Sequence, residues 1–356
     1  MQFRVHHNLV GASRAELAAL LAELDPRPFR AEQVYQWVAR RMAGAIEEMT
    51  NLPKALRRDL GERAVVLDPD VIEVRRGGDG TAKFALAFPD GAVVEAVAMP
   101  MEGHTTICLS SQTGCAVGCI FCVTGVLGAG RNLSGGEIFG QYRAILRAEG
   151  LVGTPVNVVF MGMGEPLLNL PGVARAVELI AETVSPRRVT VSTSGIVPGI
   201  RKIAALERRP KLAVSLNATT QEQRERLMPI AARWPLDELL DTLRAFPLER
   251  GRRITFEYVM LAGINDSDDD ARRLPRLLRG IPSKINLIPL NPDRRHLGEL
   301  EAPNEARIND FAGILAAAHV NVTVRWSKGR EVAAACGQLR GQIAARPQPP
   351  DAPVGR

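Results

Sequence analysis

Cys115, Cys119 and Cys122 are separated by three and then two residues, and thiols spaced this closely are hard to explain as core residues. A structural zinc site normally takes four ligands, often as two separated pairs, and the sequence has no second Cys-x-x-Cys pair. A 4Fe–4S cluster normally takes four thiolates, so a trio leaves one iron open to a small molecule. The spacing therefore favours an iron–sulfur cluster over zinc and predicts one open iron.

The size and composition of the chain allow one large domain and a smaller one. The chain has 356 residues, of which 46% are hydrophobic, enough to bury a sizeable core. No stretch reaches roughly 18 uninterrupted apolar residues, and residues 1–7 lack the apolar core of a secretory signal. The five cysteines fit a reducing compartment better than a disulfide framework. We therefore expect a cytoplasmic protein that does not associate with a membrane.

The charge of the chain indicates a polyanionic partner. Its formal net charge is +6 and its isoelectric point is about 9.3. Pairs of adjacent arginines recur along the sequence, and Arg75 with Arg76 is one example. A single pair is typical of a solvated face. The number of pairs favours a surface that contacts the phosphates of a nucleic acid.

Residues 12–63 carry apolar side chains at helical spacing. This pattern predicts helices over 12–24 and 31–42, and a further helix that begins at or after Pro53. We assign residues 1–70 to an N-terminal helical domain. Helical periodicity reports burial and not partners, so the domain is either a packing or lid module or a module that docks RNA. The basic residues available for docking are Arg27, Arg30, Lys54, Arg57 and Arg58.

The pattern changes to period two between residues 71 and 99. Strands at 81–88 and 92–99 flank a Pro-Asp-Gly turn, which predicts a β-hairpin linker over residues 71–100. Glu95 falls within the second of these strands. Its carboxylate either faces solvent or lies near the reactive groups of a functional site with a shifted pKa. The pattern is compatible with both positions.

After residue 104, short β-rich runs alternate with helical stretches. Six strands are predicted, at 105–109, 156–161, 188–192, 212–216, 254–259 and 284–289. Helices are predicted at 134–146, 170–181, 198–206, 236–244, 267–278 and 305–318, with one more strand at 322–325. The alternation predicts an α/β fold whose parallel strands form a partial (βα)6 barrel with ligands at their carboxyl ends. We assign residues 101–341 to this core and expect 342–356 to be a disordered tail.

Polar residues follow several of the predicted strands. Gly164 and Glu165 belong to a Gly-rich turn after the second strand, where the backbone can approach a ligand and the carboxylate can bind an ammonium group. Ser192, Ser215, Asn217 and Asn291 follow the third, fourth and sixth strands. Each is typical of a turn or cap when taken alone. Their shared position at strand ends favours a common binding site.

Cys108 and Cys336 lie outside the cysteine trio. Cys108 falls in the first barrel strand, and Cys336 lies far away near the C-terminus. A free cysteine is commonly a small buried hydrophobic residue, so the residues alone leave the function of both thiols open.

The chain resembles the dual-specificity RNA methyltransferases of the radical S-adenosylmethionine (radical SAM) superfamily over nearly its whole length. The segments that carry the resemblance are 29–33, 49–53, 112–125, 131–133, 161–167, 192–195, 257–260, 284–289 and 335–339. The resemblance implies methylation of C2 of an adenosine in 23S rRNA and in certain tRNAs, with a 4Fe–4S cluster and SAM as cofactors. Two SAM molecules would be consumed for each methyl group added.

The resemblance also implies the roles of individual residues. Cys336 would receive a methyl group from the first SAM, a radical derived from the second would activate that group, and Cys108 would resolve the RNA adduct through a disulfide. Glu95 would be the active-site base. The SAM pocket would comprise Gly164, Glu165, Ser192, Ser215, Leu216, Asn217 and Asn291. Asn217 replaces a histidine found in some members, and both side chains can hydrogen-bond a hydroxyl.

The implied partners are 23S rRNA, tRNA and an external electron donor such as flavodoxin or ferredoxin, and we expect a monomer. Only 4% of the residues are aromatic, so recognition is expected to depend on RNA phosphates and shape more than on stacking. Two alternatives stay open. The same chemistry could methylate C8 of the adenosine, or the chain could be a non-catalytic iron–sulfur protein that binds RNA, although the latter leaves Cys108 and Cys336 unexplained.

Overall fold

The computed structural model describes residues 6–341. The predicted disordered tail, 342–356, lies outside the described residues. The strands are β1 (His7–Asn8), β2 (Ala64–Val65), β3 (Asp70–Arg76), β4 (Ala82–Ala87), β5 (Val93–Met101), β6 (His104–Cys108), β7 (Val156–Phe160), β8 (Val189–Thr193), β9 (Lys211–Ser215), β10 (Ile254–Met260), β11 (Ser283–Pro289) and β12 (Val322–Val324).

The α-helices alternate with the later strands, as the sequence pattern predicts. They are α1 (Arg14–Leu21), α2 (Phe29–Ala39), α3 (Lys54–Gly61), α4 (Val123–Leu127), α5 (Gly135–Ala148), α6 (Leu170–Ile180), α7 (Val197–Ala204), α8 (Gln221–Leu227), α9 (Leu236–Arg244), α10 (Asp268–Leu277), α11 (Arg294–Leu297) and α12 (Glu305–Ala317). Short 3-10 turns lie at 46–48, 166–169, 186–188, 229–232 and 330–332. None of the helices in residues 6–341 has the length and apolar character needed to cross a bilayer.

The barrel sheet contains the six predicted parallel strands in chain order. Strands β6 to β11 pair in sequence, each parallel to the next. The short strand β12 pairs with β11 and adds a seventh parallel strand. The predicted α/β fold with a partial barrel is therefore confirmed, because each helical crossover returns the chain to the same sheet with the next strand parallel to the last.

The hairpin belongs to the same sheet as the barrel. Strands β3, β4 and β5 pair antiparallel with one another, and β5 pairs antiparallel with β6, so the order runs without a break from β3 to β12. The sequence predicted the hairpin as a linker and did not place it in the barrel sheet. This extension supplies a wall against which the C-terminal segment packs, since Lys83 of β4 donates to the carbonyl of Ala333 at 3.2 Å.

The N-terminal helices form a small unit, and the buried side chain of Arg143 in the barrel contacts it. Helix α1 begins with a capping box in which Ser13 and Glu16 satisfy each other's backbone N–H groups. Strands β1 and β2 pair in parallel beside these helices. Arg143 of α5 is fully buried and donates to the carbonyl of Ala43 at 2.6 Å and to Asp68 at 2.6 Å. The two parts of the protein therefore share a buried polar contact.

Three short helices, α4, α8 and α11, were not predicted. Helix α8 has the sequence Gln-Glu-Gln-Arg-Glu-Arg-Leu, which carries a single apolar residue and so gives no apolar repeat. It forms because Thr220 caps its first turn by accepting a hydrogen bond from the backbone N–H of Gln223. The cap alone is a weak signal in a sequence.

Candidate active site

One cavity at the carboxyl ends of the barrel strands brings together most of the predicted site residues. Its lining includes Cys115, Cys119, Cys122, Gly164, Glu165, Ser192, Ser215, Asn217, Asn291 and Cys336. Leu216 does not line the cavity, because its side chain is fully buried in the core. Cys108 and Glu95 also lie outside the lining. The cavity lies where ligands bind in parallel α/β sheets.

The loop after β6 presents the three cysteines to this cavity. The N–H of Cys115 donates to the carbonyl of Gly128 at 2.7 Å, and that of Cys122 donates to the carbonyl of Cys119 at 3.2 Å. Gly118 has a φ of +71°, in the left-handed region that favours glycine. Burial raises the pKa of the Cys115 thiol to about 12 and also raises the pKa values of Cys119 and Cys122. Without a metal, the three thiols are therefore protonated near neutral pH.

The turn after β7 holds a buried carboxylate. Gly164 has a φ of +98°, and a Cβ atom at this position would lie 2.6 Å from Cβ of Gln112. Glycine is therefore required for the turn to pack against the cysteine loop. The next residue, Glu165, accepts hydrogen bonds from the N–H groups of Leu167 at 3.0 Å and Ser194 at 2.7 Å. Burial raises the pKa of Glu165, so a cationic ligand would stabilise its ionised form.

Two of the predicted polar residues are also used in local structure. The Oδ1 atom of Asn217 accepts a hydrogen bond from the N–H of Val259 at 2.8 Å. Asn291 donates to Ser327 Oγ at 2.9 Å and to the carbonyl of Cys336 at 3.1 Å. Asn291 therefore positions the segment that carries Cys336. The hydroxyls of Ser192 and Ser215 line the cavity and remain the simpler candidates for ligand contacts.

The fold brings Cys336 and Cys108 near each other although they are far apart in sequence. Cys336 is accessible from the cavity, yet the surrounding protein desolvates its thiol and raises the pKa. Cys108 is buried at the end of β6, and burial, together with the charge of Cys336, raises its pKa to about 12. All five cysteines are free, so the structure holds no disulfide between this pair. The fold nevertheless places the two thiols within electrostatic reach of each other.

Glu95 contacts the C-terminal segment and not the cavity. Its carboxylate pairs with Lys83 at 2.9 Å and accepts a hydrogen bond from the N–H of Arg340 at 2.8 Å. Both ion-pair partners are buried. The solvent-face alternative for Glu95 is therefore excluded, whereas its predicted role as a base is not tested. In this structure the carboxylate holds the segment that follows Cys336.

Sequence reasoning missed four residues that the fold brings to this region. Glu257 and Arg325 line the cavity, and Oε2 of Glu257 is buried with no hydrogen-bond partner in the described part of the chain. Arg224 is fully buried on α8, and Trp326 is 52% exposed beside Arg325. Arg325 comes directly after β12, so the strand-end argument applied to Asn291 could have found it. Glu257 lies in the middle of β10, where that argument does not apply. No sequence pattern identifies Arg224 or Trp326.

The fold and the site together define a radical SAM enzyme. The protein has a parallel barrel, a loop with three cysteines after the first barrel strand and a buried Gly-Glu turn after the second. Residues 109–274 match the family model described as the radical SAM superfamily. Membership of this superfamily implies SAM and a 4Fe–4S cluster as cofactors.

The whole chain allows a more specific assignment. Residues 7–66 match the model of the ribosomal RNA large subunit methyltransferase N-terminal domain. The chain is 48% identical over 336 residues to the dual-specificity RNA methyltransferase RlmN of Anaeromyxobacter dehalogenans, covering 92% of this chain and 90% of the relative. It is 46% identical over 334 residues to the RlmN of Geotalea uraniireducens, covering 92% and 95%. The chain belongs to the RlmN family of dual-specificity RNA methyltransferases, so the resemblance seen in the sequence is confirmed.

A solved structure supports the same assignment. A radical SAM methyltransferase from Sphaerobacter thermophilus superposes with a TM-score of 0.89 at 42% sequence identity. The match covers 94% of this chain and all of that chain. The N-terminal helices and the barrel are therefore shared with a radical SAM methyltransferase and are not a chance combination of domains.

The residues of the cavity fit a metal cluster. Three free thiols line one wall. No three His, Cys, Asp or Glu side chains within residues 6–341 converge on a single ion position. A cluster does not need such convergence, because each iron takes its own thiolate. The fully buried Arg224 nearby has Nε and Nη1 without partners among the residues that the structure describes, which is compatible with an anionic group at the cysteine loop.

Proposed function

We propose that this protein methylates C2 of adenosine in 23S rRNA and in tRNA through a methyl group carried on Cys336. The observation that supports this most directly is that Cys336 lines the same cavity as the cysteine trio and Glu165. When bound, the cluster and SAM supply the methyl group and the radical chemistry that activates it. The protein supplies the thiol, the binding groups and a cavity that protects reactive species from water.

Different side chains of the cavity would bind the iron–sulfur cluster and SAM. Cys115, Cys119 and Cys122 would each ligate one iron, and the metal would replace the thiol protons that burial retains. Glu165 would receive the ammonium group of SAM, which restores the charge balance of a buried carboxylate. Ser192 and Ser215 offer hydroxyls to the same ligand. The free Oε2 of Glu257 can accept a further hydrogen bond from it.

Cys336 and Cys108 would act in sequence. The Cys336 sulfur loses its proton and forms a bond to the methyl carbon, while the bond from that carbon to the SAM sulfur breaks. When the activated carbon joins C2 of the adenine, C2 would lose its proton to a base and one electron to the oxidised cluster. The Cys108 thiolate would then attack the Cys336 sulfur. The sulfur–carbon bond breaks, its electron pair goes to the carbon, which takes a proton, and a disulfide remains. A cellular thiol reductant then restores both cysteines.

We further propose that the protein works in the cytoplasm as a monomer and receives electrons from a flavodoxin or ferredoxin. Ile120, which lies between Cys119 and Cys122, is 37% exposed. A cluster bound by this loop would therefore lie close to the protein surface. This position would give an electron donor access without requiring it to enter the cavity.

The proposed function is tested by the chemical identity of the product. Purified protein, reconstituted with iron and sulfide, is incubated with SAM, a reductant and a 23S rRNA fragment. We expect mass spectrometry of the digested RNA to show 2-methyladenosine. Formation of 8-methyladenosine would instead support the alternative site of methylation. A protein that assembles a cluster and binds RNA but yields no methylated adenosine would support the non-catalytic alternative.

Trp326 is expected to contribute to RNA binding by stacking. The sequence predicted little stacking, but this side chain is 52% exposed next to Arg325 at the cavity. The residues that follow it are anchored, because Ser327 accepts a hydrogen bond from Asn291 and Lys328 donates to the carbonyl of Pro100 at 2.6 Å. Stacking of one base contributes about 1–3 kcal/mol. Trp326→Ala should therefore weaken RNA binding by roughly 5-fold to 150-fold in a filter-binding assay.

The matched variant for this test is Trp326→Phe, which keeps an aromatic ring and should retain most of the affinity. The dependence of affinity on salt should be the same in all three proteins, because stacking removes no phosphate contact. Equal affinities for Trp326→Ala and the wild type would show that the base does not stack on this residue. Affinity of the wild type that is insensitive to salt would contradict the basic-surface prediction.

A further inference from the structure

Arg224 carries a buried positive charge that the protein does not balance. Its side chain is fully buried, and its Nη2 atom donates to the carbonyl of Ser194 and lies 3.5 Å from that of Ser215. The Nε and Nη1 atoms have no hydrogen-bond partner among residues 6–341. A buried charge without a counter-ion carries a large desolvation penalty. Such an arrangement is unfavourable unless an anion is present in the working protein.

The position of Arg224 indicates where that anion binds. Helix α8 ends at Leu227, whose carbonyl accepts a hydrogen bond of 3.1 Å from the N–H of Ile120 in the cysteine loop. The carbonyls that Arg224 contacts belong to Ser194 and Ser215, and both of these residues line the cavity. Arg224 therefore lies behind the cavity wall, on the helix that supports the loop next to Cys119.

We infer that Arg224 is the buried counter-charge of the iron–sulfur cluster, a positioning residue that stabilises the cluster and favours its reduction. The inference rests on the proposed function, because it requires a cluster at Cys115, Cys119 and Cys122. Three thiolates make the bound cluster anionic, and one electron from a low-potential donor takes the 4Fe–4S core from the 2+ to the 1+ state. A fixed cation nearby stabilises both the thiolates and the added negative charge.

The guanidinium remains a cation under working conditions. Burial lowers the pKa of Arg224 to about 10, whereas the charge of Cys119 acts in the opposite direction. A group with this pKa is still protonated near neutral pH.

The first test measures stability with and without the cluster in Arg224→Met, which replaces the cation by an apolar side chain of similar length. In the cluster-free protein we expect the thermal midpoint to be equal to or higher than that of the wild type, because an unbalanced charge is removed. The increase in the midpoint on reconstitution should be smaller than in the wild type. Equal destabilisation of both forms would mean that Arg224 has only a structural role and would overturn the inference.

The second test measures the reduction potential of the cluster by a dithionite titration followed by electron paramagnetic resonance. Arg224→Met should make the cluster harder to reduce by about tenfold, equivalent to a shift of about 59 mV for a one-electron couple. Arg224→Lys keeps the charge and should stay close to the wild type. Arg226→Met, an exposed change on the same helix, is the matched control and should leave the potential unchanged.

The outcomes separate this inference from the proposed function. A wild-type protein that assembles no 4Fe–4S cluster would contradict the proposed function itself. A wild-type cluster whose potential is the same in Arg224→Met would overturn only the inference. Weaker SAM binding in Arg224→Met with an unchanged potential would also overturn it, because Arg224 would then serve the carboxylate of SAM. If Arg224→Met assembles no cluster, its stability is compared with that of the cluster-free wild type. Equal or higher stability of the variant supports the inference, and lower stability overturns it.

Discussion

Cys336→Ala is expected to abolish methylation completely while leaving the fold and the cysteine loop intact. The thiol is accessible from the cavity, and alanine removes it without adding volume. No other thiol can replace it, because Cys108 is buried outside the cavity lining and the remaining three belong to the proposed cluster. Methyl transfer from radiolabelled SAM to RNA measures the loss. A Cys336→Ala protein with normal methylation would contradict the methyl-carrier mechanism.

Cys108→Ala is the matched variant, because it removes the other spare thiol and should stop the reaction at a later stage. It should form a covalent adduct between protein and RNA that denaturing electrophoresis detects, whereas Cys336→Ala should form none. In the wild type, release of the adduct should accelerate with pH. With a Cys108 pKa of about 12, the thiolate fraction rises roughly tenfold for each pH unit between pH 7 and pH 9. Release that is independent of pH would show that deprotonation of Cys108 is not limiting.

The barrel could be predicted from the sequence because its signals are local. Each barrel strand coincides with a short β-rich run of sequence. Ser134 and Glu137 form the capping box expected at the start of α5. The cysteine spacing is equally local. Parallel strands of one sheet all end at the same edge. The predicted Ser192, Ser215 and Asn291, which lie at or near strand ends, therefore line one cavity.

The contacts of the C-terminal segment could not be predicted, because they join parts of the chain that no pattern connects. Cys336 reaches the cavity because Lys83 holds the carbonyl of Ala333 and Glu95 holds the N–H of Arg340. Each contact spans more than two hundred residues and has no periodicity to reveal it. The hairpin was interpreted as a linker for a different reason. Its pairing with β6 is local, since Met101 pairs with His104 across residues 102–103, but the sequence analysis assigned the two strands to different domains.

The unbalanced charge of Arg224 was hidden for a different reason. A sequence shows that an arginine is present but not whether a carboxylate pairs with it. Helix α8 contains three other charged residues and one apolar residue, a composition typical of an exposed segment. Only packing shows that Arg224 points inward and the others do not. Residues that balance the charge of a cofactor are therefore among the last that sequence patterns identify.

Arg143→Met should destabilise the protein by about 3–5 kcal/mol, the cost expected when one partner of a buried ion pair is removed. Arg143 is fully buried and contacts Asp68 through Nε at 2.6 Å and Nη2 at 3.2 Å. It also donates to the carbonyl of Val38, in the last turn of α2, and to that of Ala43 at 2.6 Å. Methionine fills the space but leaves a carboxylate and two carbonyls without this donor. The shift in the midpoint of urea unfolding measures the effect.

The matched control for this prediction is Arg147→Met, one helical turn further along α5. Arg147 reaches the same carboxylate, Asp68, at 3.5 Å, but its side chain is 45% exposed. Its loss should therefore cost less than about 1 kcal/mol, as expected for an exposed ion pair. Equal effects from the two variants would show that burial of the Arg143 contact adds nothing. A large effect confined to Arg143→Met would show that this buried contact contributes strongly to the stability of the protein.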